Sequence, residues 1–352
     1  MIDWTKSMRQ TYRFYRVDPY TWKNIEQIED IETCSISRDY ESDSLGSADI
    51  EVSKTIGNGY VRVYLEAEQN RIKESECLGT FLLETPSFSF DGKQNLYSYD
   101  GYTPLAELKN NYPPLGYYIP KGSNIMEIAY ELCNANCRAN VVKTDSDKTL
   151  YSNMIASPDD TWFTFIADLV RQADFMLSLN FEGQIIFEPV RTFNSLSPVW
   201  KYDTGNSSIL LPELTDDNDI YNVPNVVEVI YSKSGGGYYR SIAKNESPDS
   251  PISIPNRGRI VTYRETEPQL NGSVTQEILD EYAVLKLKNL SSLQHTIAYS
   301  HGYCNTKIGD CVLLDYPQAG LKNVKAMILT QDIECSTGCI VSETAVYTEN
   351  LI

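Results

Sequence analysis

Basic residues and histidine are scarce in this chain. Its 352 residues include 30 Lys and Arg but 48 Asp and Glu, which gives a formal net charge of −18. Proteins that bind nucleic acid or anionic membrane surfaces non-specifically depend on clusters of Lys and Arg. The charge balance therefore argues against such binding to either partner, and we predict no specific nucleic-acid binding.

Long hydrophobic runs are also missing. No segment approaches the roughly 20 apolar residues that a membrane-spanning helix needs. The N-terminal stretch MIDWTKSMRQTYRFYRV lacks the apolar core of a secretion signal. We therefore expect no membrane anchor and a chain that is made in the cytosol.

The short motifs of the common enzyme classes are absent as well, since the sequence has no HExxH, GxSxG, Walker A or GxGxxG pattern. Its two histidines, His295 and His301, lie in predicted strands. We interpret both as structural rather than as members of a Ser-His-Asp or Cys-His site. The triple glycine at 235–237 is not followed by a helix that would aim backbone amides at a phosphate. We interpret it as a hairpin tip.

Two acidic pairs leave an enzymatic alternative open. Glycoside hydrolysis uses two carboxylates at a defined separation, and Asp159-Asp160 and Asp216-Asp217 supply carboxylates. The first pair is explained by the N-terminus of a predicted helix, and nothing in the sequence fixes a separation. We therefore predict a protein that is not an enzyme, with no catalytic, cofactor-binding or metal-binding residues.

The eight cysteines do not form a familiar metal-binding pattern. In a reducing compartment most of them should be free, buried thiols. Cys304, Cys311, Cys335 and Cys339 fall in the last part of the chain, but their spacings are not those of zinc ribbons. The sequence leaves open whether these four converge.

The clearest pattern in the chain is an alternation of apolar and polar residues within Gly57–Tyr102. The apolar side consists of Val61, Val63, Leu65 and Ala67. The polar side consists of Arg62, Tyr64, Glu66 and Glu68. This period of two predicts a strand with one buried and one solvent-exposed side. Two further strands follow after turns, so the stretch predicts an antiparallel sheet.

Patterns of this kind divide the chain into three predicted domains. Residues 1–115 read as consecutive hairpins, which favour a β-barrel or a sandwich. Residues 116–195 form a small α+β insert, with two amphipathic helices that begin near Ser123 and Ser157 and a hairpin that turns at Glu182-Gly183. Residues 196–352 begin with a polar connector and return to the sheet pattern. The fold class is therefore mainly β, and α+β overall.

The last domain also contains the longest predicted helix, at about 275–290. Its apolar face is predicted to consist of Ile278, Tyr282, Leu285 and either Leu287 or Leu290.

Several segments carry a resemblance to a known family. They are DSLGSADIEVS, GYVRVYLEAEQN and LGTFLLETP in the first domain, ILLPELTDDNDIYNVPNVVEVIYS at 209–232, and GDCVLLDYPQAGL with KAMILTQDIE near the end. Together they resemble the baseplate hub proteins of contractile phage tails and tailocins, of the type found in Gram-positive prophages. In wider terms the chain is similar to phage late control protein D and to the head of type VI secretion spike proteins.

The resemblance implies a structural role in virion assembly. Hubs of this family form trimers in which each subunit supplies two tube-like antiparallel β-barrels. The resulting ring joins the threefold central spike to the sixfold tail tube and forms part of the central channel. The implied partners are two further copies of the chain, the spike, a tail tube or tube-initiator protein and other baseplate proteins. The implied location is the baseplate of a virion or tailocin assembled in the bacterial host cytoplasm.

Two other functions stay open at this point. A peptidoglycan- or carbohydrate-cleaving tail protein would release fragments from cell walls. A receptor-binding module of the baseplate would bind cells or sugars but neither spike nor tube. The sequence also leaves open the host and whether the particle carries DNA. Within the chain, the Tyr64 and Glu66 side of the predicted strand is the expected contact or channel surface.

Overall fold

The computed structural model describes residues 2–90, 92–232, 235–268, 270 and 274–352. Strands dominate the described residues and helices are few, so the prediction of a mainly β fold is confirmed. The chain divides into a larger compact unit, Met1–Glu213 with Tyr299–Thr344, and a smaller one, Leu214–Ala298 with Ala345–Ile352.

The first part of the larger unit is a series of strands that ends in a short helix. Its elements are β1 (Arg9–Val17), β2 (Asn24–Ile28), β3 (Ile31–Asp39), β4 (Gly46–Val52), β5 (Gly59–Gln69), β6 (Ile72–Phe90), β7 (Asn95–Tyr102) and α1 (Ala106–Lys109).

The insert follows and contains both helices that the sequence predicts. Its elements are β8 (Tyr118–Ile119), α2 (Ile125–Asn136), β9 (Met154–Ile155), α3 (Trp162–Arg171), β10 (Phe175–Leu179), β11 (Ile185–Pro189) and a 3₁₀ turn (Phe193–Ser195).

The remaining elements complete the larger unit and form the smaller one. They are β12 (Pro198–Asp203), β13 (Leu210–Asn218), β14 (Val226–Ser232), β15 (Tyr238–Lys244), α4 (Ile254–Arg257), β16 (Thr262–Thr266), α5 (Gln276–Leu290), β17 (Ser292–Gly302), β18 (Cys311–Tyr316), a 3₁₀ turn (Pro317–Ala319), β19 (Leu321–Glu334) and β20 (Ile340–Asn350). The segment predicted as a polar connector thus contains β12 and β13. The exposed β13 shows no alternation that would reveal it as a strand.

One large, mostly antiparallel sheet joins strands from both ends of the chain. Its order is β13-β17-β20-β19-β3-β4-β7-β6-β5-β1-β2, with β18 beside β19 and β12 beside β18. The pairing of β3 with β19, which sets Ile36 opposite Ile333, continues the early strands into the late ones. Two separate barrels were expected, but the strand order of the described residues is an open path. Alternation predicts which side of a strand is buried, not which distant strand it pairs with.

The two sides of β5 show where the alternation holds and where it fails. Val63 and Leu65 on the apolar side are completely buried, as predicted. Arg62 on the polar side was predicted to be exposed but is only 5% exposed. Its guanidinium donates to Thr80 Oγ1 at 2.8 Å and to the carbonyl of Glu182 at 2.9 Å. The insert hairpin covers this half of the strand, and that contact leaves no mark in the local pattern.

The insert helices begin at residues that satisfy their free backbone amides. Asn124, next to the predicted start at Ser123, caps α2 by accepting a bond from Glu127 N. Helix α3 begins later than expected, because Thr161 and Thr164 form a capping box. Asp160 instead accepts a bond from Ser157 N at 2.7 Å. The Asp159-Asp160 pair therefore belongs to the turn before the helix.

The smaller unit contains a three-stranded sheet, β15-β14-β16, with α5 packed on one side. The buried contacts are made by Val227, Val229, Ala243, Leu279, Ala283 and Leu287. The sequence predicted α5, but the buried face is rotated from the predicted one. Ile278 and Leu285, which were expected to be buried, are 39% and 57% exposed.

A matched pair of glycine substitutions tests how closely the insert hairpin approaches β6. Gly183 has φ +72°, and a Cβ there would lie 2.7 Å from Thr80 Cβ, whereas Gly116 has φ +79° and open space around it. Gly116→Ala should cost about 1 kcal/mol through backbone strain alone. Gly183→Ala should cost about 1 to 3 kcal/mol more because of the clash. Urea unfolding measures both, and equal costs would contradict the close contact.

Candidate functional site: an outer strand face and a buried polar cluster

The half of the β5 polar side that the insert leaves open forms a surface that we call the outer strand face. It consists of Thr11, Arg13, Tyr64, Glu66 and Glu68. Arg13 is paired with Tyr64 and Thr11 with Glu66 across β1 and β5, so their side chains share one side of the sheet. This is the Tyr64 and Glu66 surface that the sequence singles out.

Weak, exposed interactions hold the outer strand face together. Arg13 Nε lies 3.2 Å from Glu66 Oε2, with the two side chains 43% and 40% exposed. Such pairs contribute about 0 to 1 kcal/mol. The Tyr64 ring packs edge-on against Tyr15, with centroids 5.7 Å apart. Because little stability depends on these contacts, the residues are available to a partner.

A second polar arrangement is buried in the larger unit and is centred on Glu343 of β20. Its Oε1 accepts bonds from Gln331 Nε2 at 2.6 Å and Thr306 Oγ1 at 3.0 Å. Its Oε2 accepts a bond from Tyr299 OH at 2.6 Å. His301 Nε2 lies 3.3 Å from Oε1. The carboxylate is 2% exposed and its oxygens are well supplied with donors.

His301 is the positively charged partner of this carboxylate. Burial by itself lowers the pKa of His301, but hydrogen bonds to Cys304 and Glu343 and the charge of Glu343 outweigh it and raise the pKa to about 10. The other ring nitrogen, Nδ1, donates to the carbonyl of Gly302 at 2.7 Å. Burial raises the pKa of Glu343, but the hydrogen bond and charge of His301 outweigh burial and hold that pKa below its usual range. The two groups therefore form a buried ion pair at neutral pH.

The cluster continues through Gln331 to β3. Gln331 Oε1 accepts a bond from Arg38 Nη1 at 2.9 Å, and Arg38 Nη2 donates to the carbonyl of Leu78 at 2.6 Å. The guanidinium also lies over the Phe181 ring of the insert, 4.5 Å from its centroid. A continuous set of polar contacts thus ties β20, β19 and β3 to β6 and the insert.

Cys304, His301 and Glu343 have the residue types of a nucleophile, a base and a carboxylate, but they are sealed from solvent. Cys304 is 1% exposed and His301 is completely buried. The Sγ of Cys304 lies 3.2 Å from the Tyr202 hydroxyl oxygen. A nucleophile must reach its substrate, and this thiol lies in the protein core. The arrangement is suited to holding strands together.

His295, in the smaller unit, also lies between carboxylates. Its Nδ1 is 2.9 Å from Asp216 Oδ1 and its Nε2 is 3.2 Å from Glu349 Oε2. The ring stacks on Tyr347 with centroids 4.4 Å apart. The residue is 7% exposed and both nitrogens have partners. These contacts link β13, β17 and β20, and they account for Asp216 of the second acidic pair.

The four late cysteines do not all converge: Cys335 and Cys339 lie in one core cluster with Cys34, whereas Cys304 and Cys311 lie elsewhere. Cys304 contacts Tyr202, Cys311 Sγ bonds to the carbonyl of Val312, and the backbone of Cys335 bonds to Cys34. Burial raises the pKa of Cys339 to about 12. All eight cysteines are free thiols. No group of His, Cys, Asp and Glu in the described ranges is arranged to hold a metal ion.

The sequence reading missed the buried cluster, although the pattern contained a signal for it. Glu343 lies between Val341 and Ala345 on the buried side of β20. Arg38 likewise continues the buried alternation of Cys34 and Ile36 on β3. A charged residue at a position that the period of two assigns to the core predicts a buried partner, because an unpaired buried charge is strongly unfavourable.

Removal of the Glu343 charge tests the buried pair. Glu343→Gln keeps the shape but leaves the His301 imidazolium without its counter-ion, so we expect a loss of about 3 to 5 kcal/mol in the free energy of unfolding. Glu66→Gln on the outer strand face is the control and should change it by less than about 0.5 kcal/mol. Chemical unfolding followed by fluorescence measures both. Equal changes in the free energy of unfolding for the two variants would contradict the buried ion pair of Glu343 and His301.

The same pair predicts a loss of stability at alkaline pH. The pKa of His301 is raised from 6.5 to about 10 in the folded protein. Between these values the folded state holds a proton that the unfolded state has released. The contribution of this proton to the free energy of unfolding is therefore complete below the pKa of His301 in the unfolded state. It is lost as pH rises through the pKa of His301 in the folded state. Between about pH 6 and pH 10, the free energy of unfolding should decrease more steeply with pH for the wild type than for Glu343→Gln. Parallel curves would contradict the assignment.

No helix in the described ranges is long and apolar enough to cross a membrane. No protein-family model matches the chain, and a search of curated proteins finds no match either.

Solved structures do match the chain. A tail protein from Neisseria meningitidis MC58 is 14% identical, with a TM-score of 0.60 over 96% of each chain. The 43 kDa tail protein of prophage MuSo2 from Shewanella oneidensis is 12% identical, with a TM-score of 0.61 over 96% of this chain and 98% of that one. A chain of the Francisella PdpA–VgrG complex is 10% identical, with a TM-score of 0.54 over 97% of this chain and 53% of that one. At these identities the comparison concerns the fold, and the chain has the fold of phage tail proteins, as its resemblance to baseplate hubs predicted.

Proposed function

We propose that the chain is a structural baseplate hub of a contractile tail. In this role a homotrimer joins the threefold spike to the sixfold tail tube and forms part of the central channel. The observation that carries the proposal is the match to two tail proteins, one of them from a prophage, which extends over 96% of this chain and at least 96% of theirs. A match of this extent involves the sheet strands and the insert together.

The order of elements supports two tube-like halves within each subunit. Strands β1–β7 precede the insert, and β12, β13 and β17–β20 follow it. Under the proposal, residues 1–115 and 196–352 each contribute one set of strands to the wall of the ring, and residues 116–195 form the insert between them. The ring then has six similar parts on the side of the tube and three subunits on the side of the spike.

Exposed tyrosines and free sheet edges support a role in assembly. Tyrosine is enriched at protein interfaces, because its ring buries apolar area and its hydroxyl can form hydrogen bonds. Highly exposed tyrosines are Tyr20, Tyr112, Tyr118, Tyr151, Tyr221 and Tyr238. Strands β2 and β13 end the path of the large sheet, so each offers an unpaired edge. The net charge of −18 suits a channel through which DNA passes without adhering.

The proposed role is assembly rather than catalysis, in a baseplate that is put together in the bacterial cytoplasm. The buried positions of His301 and Cys304 support this choice over a wall-cleaving tail protein. The purified chain should therefore release no fragments from bacterial cell walls. Measurable cleavage would favour the enzyme.

Co-assembly with the spike tests the hub directly. Co-expressed with its cognate spike and tube proteins, the chain should form rings of three subunits that electron microscopy can count. A persistent monomer that binds neither protein would refute the proposal. Binding to cells or sugars without binding to spike or tube would favour a receptor-binding module instead.

The outer strand face is the proposed contact surface in this assembly. Tyr64→Ala combined with Glu66→Lys should weaken co-assembly by about tenfold or more, since interface energy is concentrated in few residues. Val142→Ala combined with Asp145→Lys is the control, because both side chains are exposed and belong to the insert. Pull-down with the partner proteins measures both, and equal effects would remove the outer strand face from the interface.

A further inference from the structure

The three-stranded sheet of the smaller unit has one side covered by α5 and one open side. On the open side, Tyr238 and Ile242 of β15 are 64% and 40% exposed. Arg240 and Lys244 of the same strand and Arg264 of β16 are exposed as well. These side chains share a side, since Glu228 of β14 is paired with Ile242 and with Arg264. We call this surface the open sheet side.

The open sheet side is basic in an otherwise acidic chain. Glu228 lies at its centre, and each of its oxygens is 2.6 Å from a guanidinium nitrogen, one of Arg240 and one of Arg264. Hydrogen bonds from Arg240 and Arg264 lower the pKa of this carboxyl. The two arginine side chains are 51% and 63% exposed, whereas Glu228 is 6% exposed. Lys244, which is opposite Val226 on β14, adds a third cation to the same side of the sheet.

In contrast to the basic open sheet side, the outward face of α5 carries glutamates. It consists of Glu277, Ile278, Glu281, Val284, Leu285 and, in the last turn, Lys288, which form one stripe at spacings of three and four residues. This stripe lies opposite the buried one. Val284 and Leu285 are 61% and 57% exposed. We call this surface the outer helix face, and its early turns are acidic.

The two surfaces complement each other. Each carries exposed apolar side chains, and the two glutamates of the outer helix face are opposite in charge to the three cations of the open sheet side. A sheet side with apolar residues is stabilised when a helix or another sheet covers it. The open sheet side and the outer helix face lie on opposite sides of one two-layer arrangement. Contact between copies would therefore be head to tail, and such contacts form closed rings when the rotation between copies allows it.

We propose that the open sheet side of one copy binds the outer helix face of a second copy. This interface rests on the homotrimer proposed above and locates one of its contacts. It explains why Ile278 and Leu285, which the sequence assigns to the core, are exposed in a single chain. They become buried against Ile242 and its neighbours when copies associate.

Charge reversal tests the interface. Lys244→Glu with Arg264→Glu leaves Arg240 to pair with Glu228, and Glu277→Lys with Glu281→Lys reverses the helix. Each double variant should weaken trimerisation by about 100-fold, because like charges then face each other. The combined fourfold variant should regain association to within about threefold of the wild type, since each interface again joins opposite charges. Mass photometry over a concentration series measures the oligomer.

Two further variants separate an interface effect from misfolding. Leu285→Ser removes an exposed apolar side chain and should weaken trimerisation without lowering the unfolding temperature. Asp145→Lys in the insert is the charge control, because its side chain is 93% exposed, and it should leave the trimer intact.

The outcomes distinguish this interface from the hub itself. If the wild type trimerises and the double variants and Leu285→Ser trimerise equally well, the interface is wrong and the hub stands. If folded double variants stay monomeric and the fourfold variant is not restored, the interface is also wrong. If the double variants keep the trimer but lose the spike or tube protein, the open sheet side binds that partner instead. A wild type that never trimerises, even with its spike, refutes the hub proposal.

Discussion

The larger unit depends on one negative charge held out of water. Glu343 receives hydrogen bonds from a glutamine, a threonine and a tyrosine and faces the imidazolium of His301. Moving an ion from water into a protein core is costly unless its charge and its hydrogen bonds are compensated. The compensating groups come from β17, β19 and the loop before β18, so the carboxylate is stable only when those segments are in place. Hydrophobic contacts can tolerate a change of register between strands, whereas the hydrogen bonds to Glu343 cannot.

The insert is attached by backbone chemistry as well as by apolar packing. The carbonyl oxygen of Glu182 accepts bonds from Arg62, Thr80 and the Trp22 indole, each 2.9 Å long. A carbonyl has two lone pairs, so three donors around one oxygen fix its position closely. The hairpin turn at Gly183 brings that oxygen to the sheet. Residues far apart in sequence thereby determine which half of β5 stays open to solvent.

Most strands and helices could be predicted from the sequence, because periodicity is a local property. The buried side of β5 and the caps of α2 follow from neighbouring residues. The joining of β3 to β19 does not, because backbone pairing between distant strands carries no local signal. Arg62 was misplaced for a related reason: a polar residue on a polar side gives no sign that another segment covers it. In α5 the predicted apolar face combined two sides of the helix, because Tyr282 packs against the buried cluster whereas Ile278 and Leu285 lie on the outer helix face.

The candidate surfaces also differ in whether local sequence patterns are enough to predict them. The β5 residues of the outer strand face follow from alternation alone, whereas Thr11 and Arg13 join them only through the pairing of β1 with β5. The buried cluster was overlooked because Glu343 and Arg38 were not recognised as charges at core positions. The basic open sheet side requires the pairing of β14 with β15 and β16, which places Arg240 and Arg264 on either side of Glu228.

The buried cysteines bear on how the protein responds to oxidation. Disulfide exchange and oxidation both proceed through the thiolate, so a thiol that keeps its proton reacts slowly. Burial raises the pKa of Cys137 and of Cys339 to about 12. Packing of the core therefore keeps these thiols protonated at neutral pH, and it protects them from oxygen and from disulfide exchange without any cross-link.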